Sequence, residues 1–257
     1  MTQKTKLSTI IKYDNKAYDL EEIQSFDLSF KNKFNGENPT FFNSKPSSLA
    51  PVKAENFIGD ISKGGSCNVN IATLDIHCSG THTECISHIK DGENKVVDFC
   101  PEGFIPSKLI SVFPEKSSNT TDSYHVPLTV DLVISKELLV QKIKDPIDSL
   151  IIRTLPNSSY KSTQNYDKNP APFFTTEAIN YINELSIKHL LVDIPSIDKA
   201  NDNGLLGNHH SFFIKGKTIS ELLYIPNSLK DSFGFLQIQV PNWNLDAAPS
   251  RPIFYPI

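Results

Sequence analysis

The sequence lacks the features that identify most membrane, secreted and nucleic-acid-binding proteins. Its 4 cysteines include no Cys-x-x-Cys pair, which argues against both a zinc ribbon and a disulfide scaffold. The 25 Lys and Arg residues are outnumbered by 29 Asp and Glu residues, so no basic surface for a phosphate backbone is expected. Apolar runs, such as residues 190–192, fall far below the roughly 18 residues that cross a bilayer. We therefore expect a cytoplasmic protein with reduced cysteines and with no nucleic-acid or membrane partner.

The order of strand and helix patterns is what the sequence offers instead. Apolar residues in alternating or continuous runs predict strands over residues 128–134, 149–154 and 189–194. Helical spacing of apolar residues follows Ser135, and again follows Thr175 or Thr176, and these residues can act as N-caps. The succession strand, helix, strand, helix, strand predicts an α/β core.

The first 75 residues have a different character. They are poorer in helix signals and contain short extended pieces, such as residues 67–76. Neither an internal repeat nor a stretch long enough for a domain linker interrupts the chain. We therefore expect a single domain over residues 1–257 with a mixed central sheet, in which residues 1–25 form a peripheral N-terminal segment.

Three of the 7 histidines, His77, His82 and His88, lie within one short window. Glu84 lies among them, and Gly80 can adopt backbone angles that aim several side chains at one point. His82 and Glu84 are two residues apart, so both project to the same face of an extended strand. Imidazole nitrogen and carboxylate oxygen suit a divalent metal such as zinc or manganese. A strand-edge hydrogen-bonding group without metal is the alternative, but the clustering favours a functional site.

A second set of candidates lies far downstream. His209 and His210 are followed by Phe212, Phe213 and then Glu221. A histidine and a carboxylate from this segment would complete a metal shell from across the fold. The pattern alone also fits a helix N-terminus with solvated histidines and a surface carboxylate.

Together these clusters resemble the cyclase family of metal-dependent hydrolases, whose best-known activity is bacterial kynurenine formamidase, or arylformamidase. Residues 80–84, Gly-Thr-His-Thr-Glu, with His88 match the family motif Gly-Thr-His-x-Asp-x-Pro-x-His, with Glu84 in place of the Asp. The family spacing places the first histidine at position 78, which is Cys78 here, whereas His77 lies one residue earlier. We expect His77 to be the ligand, with the Cys78 thiolate as the alternative.

Further segments extend the resemblance over most of the chain from about residue 25. The downstream family motif, a histidine with a glutamate twelve residues later, fits His209 and Glu221 and leaves His210 as a neighbour. Asp-Leu-Ser at residues 27–29, Asp-Ile-Pro-Ser-Ile-Asp at 193–198 and Pro-Ser-Arg at 249–251 resemble shorter family motifs. For the two aspartates of residues 193–198 we expect supporting or turn roles.

The resemblance implies an α/β fold of the swivelling β/β/α type, a homo-oligomer, usually a dimer, and one or two metal ions. Carried over to this chain, it implies that one ion is held by His77, His82 and Glu84. A second ion would be held by Glu84, His209 and Glu221, so that Glu84 bridges the two. Because Glu84 is one methylene longer than the usual aspartate, a single ion remains open; zinc is the first expectation and manganese the second.

The implied reaction is hydrolysis of a formamide or amide in a small molecule. The first expectation is the conversion of N-formylkynurenine and water to kynurenine and formate, in tryptophan catabolism; another aryl or cyclic amide is open. His88 would be free for proton transfer to the leaving nitrogen.

Two other functions compete with this interpretation. His82, Glu84 and His209 also fit the two-histidine, one-carboxylate triad of a non-haem iron oxygenase, although His77 and Glu221 would then be surplus. A non-catalytic metal- or ligand-binding relative is the other alternative, and the shifted histidine and the missing proline of the motif support it. The intact His88 argues for an enzyme.

Overall fold

Short strands dominate the structure, a computed structural model that describes residues 8–214 and 216–257. Within these ranges the strands are β1 (Ile10–Tyr13), β2 (Lys16–Asp19), β3 (Phe26–Asp27), β4 (Ser48–Pro51), β5 (Lys53–Ala54), β6 (Phe57–Ile58), β7 (Asn70–Thr73), β8 (His82–Glu84), β9 (Ile105–Val112), β10 (Glu115–Lys116), β11 (Leu132–Ile134), β12 (Ser149–Thr154), β13 (Phe173–Phe174), β14 (His189–Val192), β15 (Thr218–Glu221), β16 (Ser232–Gln239), β17 (Ala247–Pro249) and β18 (Arg251–Pro256).

Helices are short and few in the same ranges. The α-helices are α1 (Val96–Phe99), α2 (Lys136–Val140), α3 (Thr176–Glu184) and α4 (Gly207–Phe212). Single 3₁₀ turns lie at Leu20–Glu22, Ile61–Lys63, Ile86–His88, Ser117–Asn119 and Ser159–Thr163. In the described part of the chain, no helix is long and apolar enough to cross a membrane.

The largest sheet is mixed and has nine strands in the order β17-β8-β15-β14-β12-β9-β16-β18-β3. Its central strands β15, β14, β12 and β9 run parallel, and the strands on both sides of them pair antiparallel. Parallel neighbours need a crossover connection, and α2, α3 and α4 provide it between successive strands of the centre. The predicted α/β class with a mixed central sheet is confirmed.

Apolar side chains alternate between the two faces of this sheet. Leu150 and Ile152 of β12 belong to the core that the helices cover, whereas Ile151 belongs to the core on the opposite face. Helix α3 begins where the sequence predicts, because the Thr175 side chain accepts a hydrogen bond of 3.2 Å from the backbone N–H of Ala178. Both layers of the core therefore follow from local patterns.

The first predicted strand, residues 128–134, is wrong in extent and in place. Only β11 (Leu132–Ile134) is a strand, and it belongs to a three-stranded sheet with β10 and β13. Val130 is 97% exposed, and the backbone N–H of Thr129 donates to Asp131 Oδ2 at 2.8 Å, which closes a local turn. The parallel centre begins instead at β9. The strand predicted over residues 149–154 is confirmed as β12. Two other extended predictions are too long, since residues 67–76 contain only β7 and residues 189–194 only β14.

The described part of the predicted peripheral segment forms a hairpin of β1 and β2. Tyr13 stacks on Phe233 with ring centroids 5.3 Å apart, and Tyr18 meets Phe235 edge-on at 5.3 Å. The hairpin therefore packs on β16, and four strands of the sheet lie between β16 and β8. Residues 1–7 of the segment lie outside the described residues.

Candidate metal centre

Strand β8 places the first candidate residues inside the protein. His82, Thr83 and Glu84 are all buried, because β8 lies between β15 and β17. Thr83 points to one face and shares a hydrogen bond of 2.7 Å with Ser220 Oγ. His82 and Glu84 therefore lie together on the other face, as predicted. Glu221 pairs directly opposite His82 in the antiparallel ladder, so the register brings the downstream carboxylate to the same face.

The turn before β8 delivers His77 rather than Cys78 to this face. Gly80 has a φ of +150°, a conformation that side chains disfavour, and this confirms the predicted turn. His77 Nδ1 lies 3.0 Å from Glu84 Oε2. Cys78 packs instead in an apolar cluster with Tyr166, and burial together with Asp75 raises the pKa of its thiol to about 12. A Cys78 thiolate is therefore disfavoured as a ligand.

The single 3₁₀ turn after β8 carries His88 back over His77. The two rings stack with centroids 4.2 Å apart and an interplanar angle of 30°. His88 Nε2 lies 3.8 Å from Glu84 Oε2, and the His88 side chain is 26% exposed. Burial lowers the pKa of His88 below its ordinary value, which favours the neutral ring.

Helix α4 contributes His209 from across the fold, and Asp198 orients it. Asp198 Oδ2 accepts hydrogen bonds from the backbone N–H of His209 at 3.0 Å and from its Nδ1 at 2.7 Å. His209 Nε2 then lies 3.1 Å from Glu84 Oε1 and 3.7 Å from Glu221 Oε1. His210 is exposed on the same helix and stays outside the cluster.

Glu84 is the centre of the arrangement. Its carboxylate belongs to two groups of possible ligands, His77 with His88 and His82 with Glu221, and in each group the ligand atoms lie within 4.8 Å of one another. The structure thus brings together all the residues that the two sequence motifs single out. The grouping differs from the one that the resemblance implies, because His88 lies with His77.

Two buried atoms of this cluster have no hydrogen-bond partner. His82 Nδ1 lies 3.0 Å from the carbonyl oxygen of Gly80 and donates to it, which leaves Nε2 as an unprotonated nitrogen with no partner. Glu84 Oε1 likewise has none in hydrogen-bond geometry, although His209 Nε2 lies 3.1 Å from it. A buried polar atom without a partner costs about 1–3 kcal/mol. An imidazole nitrogen and carboxylate oxygens that converge in this way fit a divalent metal ion.

The charges of the cluster are strongly coupled. Burial raises the pKa of Glu84, but contacts with His209 and His77 outweigh it and hold that pKa well below its ordinary value. Burial and the neighbouring Glu84 carboxylate raise the pKa of Glu221 well above its ordinary value. Burial lowers the pKa of His77, but hydrogen bonds to Asp246 and Glu84 raise it to about 10. Without a cation, the two glutamates thus oppose each other's ionisation.

Asp246 is a site residue that the sequence motifs miss. Asp246 Oδ2 lies 3.0 Å from His77 Nε2 and 3.5 Å from His88 Nδ1. Asp246 directly precedes β17, which pairs with β8, and its carbonyl oxygen accepts a hydrogen bond from the Cys85 N–H at 3.0 Å. The only signal was its position three residues before the Pro-Ser-Arg segment, and no local pattern predicts a contact across 169 residues.

Another histidine–carboxylate group, His125 with Asp198 and Asp202, also has ligand atoms within 4.8 Å of one another. Its carboxylates already have partners: Asp202 accepts from the backbone N–H groups of Gly204 at 2.9 Å and Leu206 at 2.6 Å, and from His125 Nε2 at 3.0 Å. This group therefore holds a loop in place, and its atoms are not orphaned.

The shorter motifs serve as connections. Arg251 Nε donates to Asp27 Oδ2 at 2.7 Å, so the early Asp-Leu-Ser segment is tied to the Pro-Ser-Arg segment. Asp193 accepts from the backbone N–H of Thr154 and from Lys161, beside β12. Together with Asp198, it has the supporting role that was expected of this segment.

The fold and the cluster thus define a buried histidine–carboxylate centre, fitted to a divalent metal, at one side of a mixed α/β sheet. Residues 9–199 match the sequence profile of the Cyclase family, described as "Putative cyclase". This match covers well over half of the chain. The chain belongs to the Cyclase family, and the membership predicted from the two histidine motifs is confirmed.

Curated relatives and solved structures agree with this assignment. Kynurenine formamidase of Bacillus cytotoxicus is 25% identical over 196 residues, which cover 76% of this chain and 83% of the relative. Kynurenine formamidase of Bacillus cereus is 23% identical over 198 residues, with the same coverage of both chains, 76% and 83%. The predicted amidohydrolase class agrees with the name kynurenine formamidase that these relatives carry.

Among solved structures, a "predicted metal-dependent hydrolase" from Bacillus stearothermophilus superposes with a TM-score of 0.62 at 17% identity, over 91% of this chain and 98% of that one. Isatin hydrolase A from Labrenzia aggregata superposes with a TM-score of 0.62 at 14% identity, over 90% and 93%. At these identities the likeness shows a shared fold.

Proposed function

We propose that this chain is a metal-dependent hydrolase that cleaves the formamide of N-formylkynurenine to kynurenine and formate. The observation that carries the proposal is the position of Glu84, one buried carboxylate 3.0 Å from His77 Nδ1 and 3.1 Å from His209 Nε2, beside a His82 Nε2 that has no partner. The names of the curated relatives support the substrate, and the isatin hydrolase neighbour makes a cyclic aryl amide the next substrate to try.

The metal ligands we propose are His77, His82, Glu84, His209 and Glu221, with zinc as the first ion and manganese as the second. When bound, a divalent ion lowers the pKa of a water ligand from about 15.7 to about 7 and polarises a carbonyl oxygen. Glu84 is the residue that would be shared if two ions bind. Its side chain faces both ligand groups, so loss of Glu84 disrupts the whole site and not one half of it.

His88 is the catalytic residue that we propose for proton transfer. Its ring is partly exposed, and burial lowers its pKa, so at neutral pH it is neutral and can accept a proton. In the hydrolysis, the oxygen of water bonds to the formyl carbon and the carbon–nitrogen bond breaks. His88 takes the proton from the water and returns it to the leaving nitrogen, which departs as the amine of kynurenine.

The oxygenase alternative receives less support from the structure. His82, Glu84 and His209 would suffice for a facial triad, but His77 Nδ1 also lies 3.0 Å from Glu84, and Glu221 lies directly opposite His82. These additional groups exceed what the triad uses. Oxygen-independent turnover would exclude the oxygenase, and oxygen uptake with ferrous iron would favour it.

Three further parts of the proposal concern the whole protein. We propose that the chain forms one domain over residues 1–257, that it acts as a homodimer in the cytoplasm, and that its substrate is its small-molecule partner. Light scattering of the purified protein measures the oligomeric state. A monomer that is fully active would overturn the homodimer.

The experiment that tests the proposed function is formate release from N-formylkynurenine. The purified protein is dialysed against chelator and then resupplied with zinc or manganese, with isatin as a second substrate. Turnover that returns only with metal supports a hydrolase. Protein that binds metal and yet cleaves neither substrate would overturn the proposed activity and favour the non-catalytic alternative.

A further inference from the structure

One carboxylate oxygen, Asp246 Oδ2, faces the outer nitrogens of two stacked histidines. It lies 3.0 Å from His77 Nε2 and 3.5 Å from His88 Nδ1. The opposite nitrogens of the same rings face Glu84: His77 Nδ1 lies 3.0 Å and His88 Nε2 3.8 Å from Glu84 Oε2. His77 is therefore hydrogen-bonded between two carboxylates, and His88 lies between the same two at longer distances.

The other two histidines of the cluster follow the same rule. The outer nitrogen of His82 donates to the Gly80 carbonyl at 3.0 Å, and that of His209 to Asp198 Oδ2 at 2.7 Å. His77, His82 and His209 thus each have a hydrogen-bond acceptor behind them, and His88 has the Asp246 carboxylate 3.5 Å behind it. All four rings turn an inner nitrogen toward the glutamates. An acceptor behind an imidazole fixes which nitrogen carries the proton and how the ring is oriented.

We propose that Asp246 is the positioning residue for both His77 and His88. Its hydrogen bond holds the proton on His77 Nε2, and its negative charge 3.5 Å away favours the proton on His88 Nδ1, so that His77 Nδ1 and His88 Nε2 are left to act toward Glu84. This inference rests on the proposed metal site, but it does not depend on which amide is cleaved.

The backbone gives Asp246 the rigidity that this role needs. Its carbonyl oxygen accepts from the Cys85 N–H at 3.0 Å, and the next residue, Ala247, pairs opposite Glu84 in the ladder between β17 and β8. The Asp246 carboxylate is therefore held in register with Glu84, the residue at the centre of the site. Asp246 also supplies a fixed acceptor for His77, which lies one residue away from the position expected from the family motif.

The test compares Asp246→Asn and Asp246→Ala with Asp231→Asn. Asp231 is a matched control, since its side chain is 35% exposed against 34% for Asp246, and its partners, Ser111 and Arg153, lie outside the site. The probe is zinc, titrated into chelator-treated protein in competition with a coloured chelator. The second readout is the imidazole N–H signals of zinc-loaded, ¹⁵N-histidine-labelled protein, and the third is the separate change of kcat and KM.

We expect zinc affinity to fall about 10–100-fold in both Asp246 variants, the range typical for loss of an acceptor behind a ligand. We also expect the protected His77 Nε2–H signal of the wild type to be lost in Asp246→Ala, and kcat to fall more than KM rises. Asp231→Asn should leave all three readouts unchanged. Wild-type zinc affinity with the His77 N–H signal retained in Asp246→Ala would overturn the proposal. Asp246→Asn preserves the side-chain shape and covers the case in which the alanine variant does not fold.

Failure of the proposed function gives a different pattern. If the wild type binds zinc but releases no formate, the substrate is wrong, and the zinc titration and the N–H signals still decide the role of Asp246. If the wild type binds no zinc, the metal site fails and the inference on Asp246 is overturned with it.

Discussion

Two buried charged clusters lie beside different strands of the same sheet, β12 and β8, and they are built in opposite ways. In the cluster next to β12, Lys161 Nζ donates to the Thr154 carbonyl at 2.8 Å, to Thr154 Oγ1 at 2.9 Å and to Asp193 Oδ2 at 2.7 Å. Asp193 also accepts from the backbone N–H of Thr154 at 3.0 Å. All three protons of the ammonium are used, and a buried ion pair with its hydrogen bonds satisfied is a structural element.

The cluster around Glu84 has the same burial but an excess of acceptors. His82 Nε2 has no hydrogen-bond partner, and Glu84 Oε1 has only the His209 ring, at 3.1 Å. No lysine or arginine pairs with Glu84 or Glu221 among the described residues. The comparison shows that burial of charge alone does not mark a functional site. What distinguishes the functional site is a set of buried ligand atoms, imidazole nitrogens and carboxylate oxygens, whose hydrogen bonds and charges no lysine or arginine of the described residues satisfies.

The largest expected effect separates the two clusters by metal binding. Because His82 Nε2 has no other partner, His82→Ala should lower zinc affinity by more than about 100-fold, whereas His88→Ala should keep zinc and lose about 100-fold or more in turnover. Zinc content after gel filtration and formate release measure the two effects. Equal loss of zinc in both variants would make His88 a metal ligand and contradict its catalytic role.

Removal of the Lys161 ammonium from the cluster beside β12 should lower the stability of the protein and leave metal binding unchanged. Lys161→Met leaves the buried Asp193 carboxylate without its ion pair, so we expect a loss of about 3–5 kcal/mol in the free energy of unfolding. Urea unfolding measures the loss, and zinc titration of the folded variant should match the wild type. A variant with unchanged stability would show that this cluster is not the structural one.

A buried histidine at the amino end of β14, which belongs to neither cluster, provides a test by pH. His189 is buried with Nδ1 2.9 Å from Thr218 Oγ1, and burial lowers its pKa from 6.5 to about 4. The unfolded chain therefore binds a proton below about pH 6.5 that the folded protein refuses until about pH 4.

Stability should consequently fall with pH in this window, by about 2 kcal/mol between pH 7 and pH 5 from this residue alone. His189→Gln should remove that part of the pH dependence. Urea unfolding of both proteins at pH 7 and pH 5 gives the difference. Identical pH dependence in the two proteins would contradict a neutral buried His189.

The smallest expected effect is an increase in stability, opposite in sign to that of the Lys161 variant. In metal-free, chelator-treated protein the carboxylates of Glu84 and Glu221 repel each other, and the pKa of Glu221 is raised by burial and by Glu84. Glu221→Gln retains an oxygen for the Ile197 N–H, which lies 2.9 Å from Glu221 Oε1, and removes the charge. We expect Tm to rise by about 2–4 °C at pH 7, which corresponds to about 1 kcal/mol. A lower Tm would show that the site is not strained without metal.

The features that the sequence predicted share a local cause. Strand β12 and helix α3 follow from an apolar run and from an N-cap at Thr175, and the common face of His82 and Glu84 follows from their spacing within one strand. The strand predicted over residues 128–134 was too long because alternation does not reveal that Val130 is exposed. Local sequence patterns therefore predict most of the central strands and helices and the main candidate residues.

The remaining features depend on contacts between distant residues. The pairing of β8 with both β15 and β17 places Glu221 opposite His82 and Asp246 beside His77, and strand order is not a local property. The resemblance pointed to the same site residues, but the association of His88 with His77 depends on the ring stacking at 4.2 Å. Asp246 is the clearest case, because its role exists only once β17 has paired.

The measurement that tests the central claim most directly is an anomalous difference map from crystals of the protein loaded with zinc. The account predicts a peak, or two peaks, in contact with Glu84, and none in a matched crystal of Glu84→Gln. A peak at His125 and Asp202 with none at Glu84, or equal peaks beside residue 84 in both crystals, would contradict it.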